Sequence, residues 1–247
     1  MELSGRTAIV TGASRGIGKA IALMLAEAGA DIAFSHLDDP NAAATANEIT
    51  ALGRRVMCRS FDVADLEQIE AFVGETQCFF GTPDILVNNA GGNLDGTFGD
   101  LTEDAYDRQM DINLKSTVFM TRAVYSSMIV RGSGRIINIA SQLGLRGEYG
   151  MVIYSAAKAG VIGFTRALAR EATAHGVLVN SIAPGPVDTA ATQRVAPAIN
   201  AALRERLLTK RFARPEEIAA TALMLAGPGG TFYAGACLSP NGGDVMH

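Results

Sequence analysis

Tyr154 and Lys158 stand four residues apart in Tyr154-Ser155-Ala156-Ala157-Lys158. A helical period over residues 154–174 starts there, so both side chains share one face. A tyrosine hydroxyl ionises near pH 10 and is a poor acid or base at neutral pH. A neighbouring ammonium favours the phenolate, and a drop of about three units, roughly 4 kcal/mol, would bring it into working range. The plainer reading is an exposed tyrosine beside a solvated lysine. Ser141 follows the apolar run Ile136-Ile137-Asn138-Ile139-Ala140. Ligands of open α/β sheets bind at such carboxyl ends of strands, so its hydroxyl could donate to a substrate carbonyl. Without Tyr154 it would read as a turn serine. Asn113 is a polar residue inside the helical stretch Met110-Asp111-Ile112-Asn113-Leu114. It binds a structural water or kinks the helix.

A second chemistry-bearing segment is Thr11-Gly12-Ala13-Ser14-Arg15-Gly16-Ile17-Gly18, between an apolar run and a helical pattern. Gly12 permits a tight turn, Gly16 a close approach of backbone to a pyrophosphate, and Gly18 close packing of helix on strand. The helix N-terminus adds free N–H groups and the positive end of its dipole. The spacing differs from G-x-G-x-x-G and is not a P-loop: the gap before Gly18-Lys19 is one residue too long, and Ala20 lacks the metal-binding hydroxyl. A purely structural turn is the alternative. Which dinucleotide binds depends on the end of the second strand, Ile32-Ala33-Phe34-Ser35-His36-Leu37-Asp38-Asp39. Counting about twenty residues from the last glycine reaches Asp38, an acid that would select NAD(H). If the strand stops near Ser35, His36 takes the tip instead. Arg15 could grip a 2′-phosphate bidentately. The balance favours NADP(H), with NAD(H) possible.

These groups need a scaffold. Short apolar runs at 7–10, 31–35, 55–58, 85–87, 135–140, 177–182 and 236–238 read as strands. Several are continuously apolar, as strands buried on both faces are. Helical periods fill 16–28, 41–52, 66–79, 103–130, 154–174 and 215–225. The alternation predicts an α/β fold: a doubly wound, mostly parallel seven-stranded sheet with helices on both faces. No linker composition divides the 247 residues, so one domain spanning 1–247 is expected. The 27 glycines have no three-residue period, which excludes collagen and assigns them to turns and close approaches.

Composition excludes other classes. A net charge of −4, without a Lys/Arg cluster, gives no footprint for nucleic acid or a membrane surface. Cys58, Cys78 and Cys237 are odd in number and widely spaced, and all three sit in apolar runs. They read as buried small hydrophobes in a reducing cytoplasm. His36, His175 and His247 show no zinc spacing, so no metal is expected. Met1-Glu2-Leu3-Ser4-Gly5 has no signal-peptide apolar region. Residues 218–243 are uncharged, but Gly227-Pro228-Gly229-Gly230 breaks any spanning helix into buried helix, turn and buried strand.

Taken together, residues 11–18, Asn88-Asn89-Ala90-Gly91, Asn113, Ser141, Tyr154-x-x-x-Lys158 and Pro184-Gly185-Pro186-Val187-Asp188-Thr189 follow the order seen in short-chain dehydrogenases/reductases. The resemblance runs from Gly5 to Asn241-Gly242-Gly243. It implies a Rossmann domain, a nicotinamide cofactor and a homotetramer, with the helices 103–130 and 154–174 packed against their copies. It makes Tyr154 the proton donor or acceptor, and Lys158 the residue that lowers its pKa and holds the nicotinamide ribose. Ser141 would orient the substrate oxygen, and Asn113 would anchor a water in a relay through Lys158. Gly12, Ser14, Arg15, Gly16, Ile17 and Gly18 would line the phosphates and ribose. Asp62 and Val63 would bracket the adenine, and His36, if it takes the tip of the second strand, would stand by the ribose. Asn89, Ala90 and Gly91 lie against the adenosine ribose, and Pro184, Gly185, Val187 and Thr189 embrace the carboxamide. Asn88 is read as strand support.

Within that family the chain is most similar to 3-oxoacyl-acyl-carrier-protein reductases, through residues 135–139, 156–165 and the closing Asn241-Gly242-Gly243. His175 stands where a basic carrier-docking residue is usual, although Arg131 keeps its companion. Met151 and Ile153 replace the polar residues usual before the tyrosine. Met151 is expected to line the substrate pocket or fill a gap. These departures leave room for a smaller or more apolar ketone, so acyl-carrier-protein docking stays open. The expected activity is an NADP(H)-dependent 3-oxoacyl thioester reductase. The alternatives are a sugar, steroid or small-alcohol dehydrogenase and a dinucleotide sensor without activity. A methyltransferase would share the glycine turn but needs no Tyr-x-x-x-Lys. The Ala-rich stretch 190–206 is expected to be a mobile lid.

Overall fold

The computed structural model describes residues 1–93 and 96–246. Expected apolar runs become seven strands: β1 (Thr7–Val10), β2 (Asp31–His36), β3 (Val56–Ser60), β4 (Ile85–Asn88), β5 (Gly134–Ile139), β6 (Val177–Ile182) and β7 (Cys237–Leu238). They form one parallel sheet in the order β3-β2-β1-β4-β5-β6-β7. Strand side chains alternate between faces. Val10, Phe34, Val87 and Ile137 pack on one face with Ile21 and Leu25 of α1 (Gly16–Glu27) and Leu225 of α10 (Pro215–Ala226). Ile9, Leu86, Ile136 and Val179 pack on the other with Phe72 of α3 (Leu66–Phe80) and Val124 of α5 (Ser116–Arg131). A strand covered on both faces has no polar side to show, which is why these runs are continuously apolar.

Chain order reverses between β1 and β4, its neighbours running outward in opposite directions. At such a switch point the loops diverge and leave a crevice at the carboxyl ends of the strands. The glycine turn after β1 and Asn89-Ala90-Gly91 after β4 both open into it. The remaining helices are α2 (Ala42–Ala51), α4 (Glu103–Met110), α6 (Leu143–Arg146), α7 (Val152–Ala172), α8 (Ala190–Gln193) and α9 (Pro197–Arg206).

Three expectations change. The single helix over 103–130 is α4 and α5 joined by a π-helical turn at Asp111–Lys115, with Asn113 at its middle. The wider turn frees backbone groups, and the Asn113 carbonyl takes a hydrogen bond from the Thr117 hydroxyl at 3.3 Å. The helix expected to open at Tyr154 starts at Val152, and Tyr154 sits within its first turn. The stretch 190–206, expected to be a lid, is built as α8 and α9, with Pro197 starting the second helix at its first position. Cys78 is exposed: it lies off the α3 face formed by Ile69, Phe72, Val73 and Thr76. Cys58 and Cys237 are half-buried, and all three thiols are free. Among the described residues no helix is long and apolar enough to cross a membrane, and no His/Cys/Asp/Glu group could hold a metal ion. His247 lies outside the described residues.

Candidate active site

A cavity of about 620 Å³ follows the crevice from the glycine turn to Tyr154. Gly12, Ser14, Arg15, Gly16, Ile17, Gly18, His36, Asp62, Val63, Asn89, Ala90, Gly91, Ser141, Tyr154, Lys158, Pro184, Gly185 and Thr189 all line it. Three expected residues do not. Val187 is buried in the bridge between Val187 and Ala213. Asn113 is fully buried behind the wall. Met151 lines a neighbouring cavity of about 90 Å³ with Phe98, Leu101, Gln109 and Ile153, and Tyr154 faces both.

The glycine end is built to take an anion. Gly12 and Gly16 have φ of +67° and +59°, which L side chains rarely adopt. The turn is pinned from β4: Asn89 Nδ2 donates to the carbonyls of Thr11 and Gly12 at 2.9 and 3.1 Å, and Thr11 Oγ1 accepts from the N–H groups of Asn89 and Ala90 at 2.9 Å each. Asn89 is therefore also a structural clamp. A Cβ on Gly18 would sit 2.4 Å from Asn89 Nδ2, so Gly18 is needed for packing against this turn. No side chain caps α1, whose opening N–H groups face the cavity with the positive end of the dipole. The cradle fits a dinucleotide pyrophosphate.

The acid next to the turn is Asp39, not Asp38. Strand β2 runs through His36, and Asp38 then takes φ +43°, exchanging hydrogen bonds with Ser60 Oγ. That turn places Asp39 in the cavity, 7% exposed. Its carboxylate accepts from Ser14 Oγ at 2.8 Å and from Asn41 N and Nδ2 at 2.9 and 2.8 Å, with Arg15 Nη1 at 2.9 Å. Burial opposes ionisation, but the bonds from Asn41 and Ser14 and the charge of Arg15 outweigh it and hold the carboxyl below its ordinary range. Arg15 is thus held over the cavity with its charge part-neutralised, its side chain 64% exposed. His36 Nδ1 accepts from Asp39 N at 3.3 Å, so the neutral ring carries its proton on Nε2.

Asp62 is more occupied than expected. Oδ1 accepts from Ala64 N at 3.0 Å and Oδ2 from Arg108 Nη1 at 2.7 Å, leaving each oxygen a second lone pair for a base amino group. Burial raises its pKa, but these bonds outweigh it and bring the carboxyl below its usual range. Arg108 was missed because it comes from α4, 46 residues away in sequence.

At the other end α7 presents Tyr154 and Lys158 to β5. Lys158 is buried and donates from Nζ to the Ile139 carbonyl at 2.9 Å, at the end of β5. Burial pulls its pKa down to about 8. Ser141, two residues beyond, hydrogen-bonds the Tyr154 hydroxyl and accepts from Leu143 N at 3.1 Å. Burial pushes Tyr154 above the ordinary tyrosine value, with the Ser141 bond pulling weakly against it. The expected depression by Lys158 is therefore absent in the free protein. The lysine nitrogen is 5.7 Å from the ring centroid, and loss of water is the leading cause of the shift on both groups.

Asn113 works through the loop after β4. Its Nδ2 donates to the Gly92 carbonyl at 2.8 Å, and to the Gln109 carbonyl and Oε1 at 3.0 and 2.8 Å. Its Oδ1 accepts from Gly92 N at 3.2 Å. A Cβ on Gly91 would meet that oxygen at 2.7 Å and Lys158 Nζ at 3.4 Å. Gln109, one helical turn before Asn113, was missed, and its i, i+4 spacing was the available signal. Gly185 lines the cavity, but its missing Cβ makes room for the Asn241 backbone. Asn88 is strand support as expected: it donates to Thr121 Oγ1 and Asn138 Oδ1, and Asn138 donates onward to Thr165.

The family model for short chain dehydrogenase matches residues 6–200. The 3-oxoacyl-acyl-carrier-protein reductase of Vibrio harveyi is 39% identical over 246 residues, covering all of both chains. The acetoacetyl-CoA reductase of Allochromatium vinosum is 40% identical, covering 98% of this chain and 99% of its own. The crystal structure of a blue fluorescent protein from a metagenomic library, in complex with NADPH, aligns over both whole chains with TM-score 0.94 and 39% identity.

Proposed function

Because the chain belongs to the short-chain dehydrogenase family, we propose that it is an NADP(H)-dependent reductase of 3-oxoacyl thioesters, forming a secondary alcohol at the 3-carbon. The observation that carries this reading is the meeting of Ser141, Tyr154 and Lys158 at one end of a cavity whose other end is an anion cradle. The coenzyme choice is supported by Arg15, held over the cavity by Asp39, and by the NADPH-bound neighbour. Bound nicotinamide supplies the hydride to the carbonyl carbon.

This chain's own groups do the rest. Tyr154 keeps its proton at neutral pH because burial disfavours the phenolate, so its resting state is the donor that reduction needs. The Ser141 hydroxyl holds the substrate oxygen beside it. The proton moves from Tyr154 to the carbonyl oxygen as the alcohol forms, and the Ser141 bond steadies the phenolate left behind. Lys158, between the Ile139 carbonyl and Gly91, holds the nicotinamide ribose and returns a proton to Tyr154. A water anchored at Asn113 resupplies it. The turn at 11–18, with His36, Asp62, Val63, Asn89 and Ala90, takes the adenosine and pyrophosphate, and Pro184, Gly185 and Thr189 take the carboxamide end.

The neighbouring cavity receives the acyl chain. Phe98, Leu101, Met151 and Ile153 line it, which suits an apolar substituent. A coenzyme A thioester is a closer fit than a carrier protein. The Arg131 guanidinium is already bonded to the carbonyls of Thr82, Pro83 and Ser133, which leaves it poorly placed to dock an acidic carrier. The enzyme works as one domain in a homotetramer, with α4, α5 and α7 supplying the contacts; a monomeric mass in solution refutes that assembly. The central test is a panel of 3-oxoacyl thioesters, sugars, steroids and small ketones with NADPH and with NADH. The expected result is NADPH-dependent reduction of the thioesters. No thioester turned over faster than a simple ketone overturns the substrate assignment.

A further inference from the structure

Around the mouth of the site, three separate segments meet on one buried carboxylate. Asp244, in the C-terminal tail, has a side chain only 2% exposed. Its Oδ2 accepts from Gln142 Nε2 at 2.6 Å, Arg146 Nε at 3.1 Å and Arg206 Nη2 at 3.1 Å. Its Oδ1 accepts from Arg206 Nε at 2.7 Å. Glu148 bonds both guanidiniums from the other side. Two arginines and two acids cancel in charge, and the node is costly to desolvate. Of these charged groups only the Asp244 side chain is buried; Arg146, Glu148 and Arg206 are part-exposed, so the carboxylate is the fixed point on which the other groups converge.

The three segments are functional ones. Gln142 and Arg146 lie on the turn and short helix that immediately follow Ser141. Gln142 is itself buried, its N–H donates to the Pro184 carbonyl at 3.0 Å, and its Oε1 has no partner among the described residues. Asp244 is what fixes the orientation of that amide. Arg206 is the last residue of α9, which follows α8, and the first residues of α8, Ala190 and Ala191, stand with Thr189 on the rim of the cavity. Leu207, next in the chain, is buried and anchors the far end of the cover.

We propose that Asp244 is a positioning residue that ties both the cover segment (α8 and α9) and the turn presenting Ser141 to one carboxylate, its Arg206 arm holding the cover and its Gln142 and Arg146 arm placing the serine. The proposal rests on the reading that Ser141 orients the substrate oxygen. Loss of the Arg206 arm frees the cover and raises KM. Loss of Asp244 also releases Gln142 and Arg146, shifts Ser141 and lowers kcat, a displacement of this kind being worth about tenfold to a hundredfold.

The test compares Asp244→Asn, Arg206→Met, Arg206→Lys and the double variant Asp244→Asn/Arg206→Met. Steady-state kinetics, NADPH affinity by nucleotide fluorescence, and tryptic cleavage after the exposed Arg194 in NADPH-loaded protein are measured on each. The expected result is a kcat fall of tenfold or more in Asp244→Asn, and a KM rise of fivefold or more at nearly constant kcat in Arg206→Met. Arg206→Lys should recover most of that KM. NADPH affinity should stay within twofold, Arg194 should be cut faster in both single variants, and the double variant should lose less than the product of the singles. A kcat within twofold of the parent for Asp244→Asn, or an unchanged KM and cleavage rate for Arg206→Met, overturns the proposal. If Asp244→Asn does not fold, Arg206→Met decides alone. A parent inactive on every thioester counts against the functional reading instead, and the Arg194 cleavage rates still judge the latch.

Discussion

Replacing Lys158 by methionine should make the cofactor-free protein more stable at neutral pH while destroying its function. Lys158 is 4% exposed, and burial lowers its pKa from 10.5 to about 8. The difference of 2.5 units corresponds to about 3 kcal/mol against the folded state when the group is charged in both states. The sign follows from proton counts. Between pH 8 and 10.5 the unfolded chain binds the lysine proton more tightly than the folded one, so stability rises with pH. Below pH 8 both states are protonated and the full penalty stands. Methionine removes the charge but leaves the Ile139 carbonyl without its donor, which costs about 1–2 kcal/mol. The net gain at pH 7 is about 1–2 kcal/mol, or roughly 3–6 °C in Tm for a chain of this size. The assay is urea unfolding of both proteins without cofactor, at one protein concentration, from pH 7 to 10.5. The advantage of Lys158→Met should shrink by about 3 kcal/mol across that range and reverse at its alkaline end. A difference that does not change with pH, or a variant less stable at pH 7, refutes the argument.

Tyr154→Phe removes the proposed proton donor without touching the glycine turn. Turnover should fall by more than a thousandfold while NADPH affinity stays within about twofold, and turnover within tenfold of the parent refutes its role. Arg15→Ala should weaken NADPH binding by about 10- to 100-fold, the worth of a charge-assisted bond, and leave NADH binding nearly unchanged; isothermal titration of both nucleotides checks this. Gly91→Ala places a methyl group 2.7 Å from Asn113 Oδ1 and 3.4 Å from Lys158 Nζ, so kcat should drop at least tenfold with the Tm lowered by a few degrees. For reduction, the rate should not require an ionised Tyr154: kcat should not climb between pH 7 and 9 as it would if the phenolate were the working form.

How much of this was legible in the sequence depends on the distance over which each group is set. Continuous apolar runs and 3.6-residue periods are local, and they placed all seven strands and most helices within a few residues. The Tyr154/Lys158 pair and the glycine turn are local too, because i, i+4 geometry and a strand–turn–helix passage follow from the chain itself. What depends on a partner elsewhere was not legible. Asp38 and Asp39 are adjacent acids, and only the left-handed backbone at Asp38, held by Ser60, decides which one enters the cavity. Arg108 reaches Asp62, and Asp244 gathers Gln142, Arg146 and Arg206, across gaps no window spans.

The amino-acid sequence by itself determined the doubly wound sheet, the glycine turn at the first strand-to-helix passage and the placing of Tyr154 and Lys158 on one helix face, because each rests on residue type and short spacing. Only the tertiary structure decided the state of that pair. Ionisation depends on lost water and nearby charge, and both come from packing α7 against the end of β5. That packing leaves Tyr154 protonated and brings Lys158 to about 8, where the sequence alone predicts a lowered tyrosine beside an ordinary lysine.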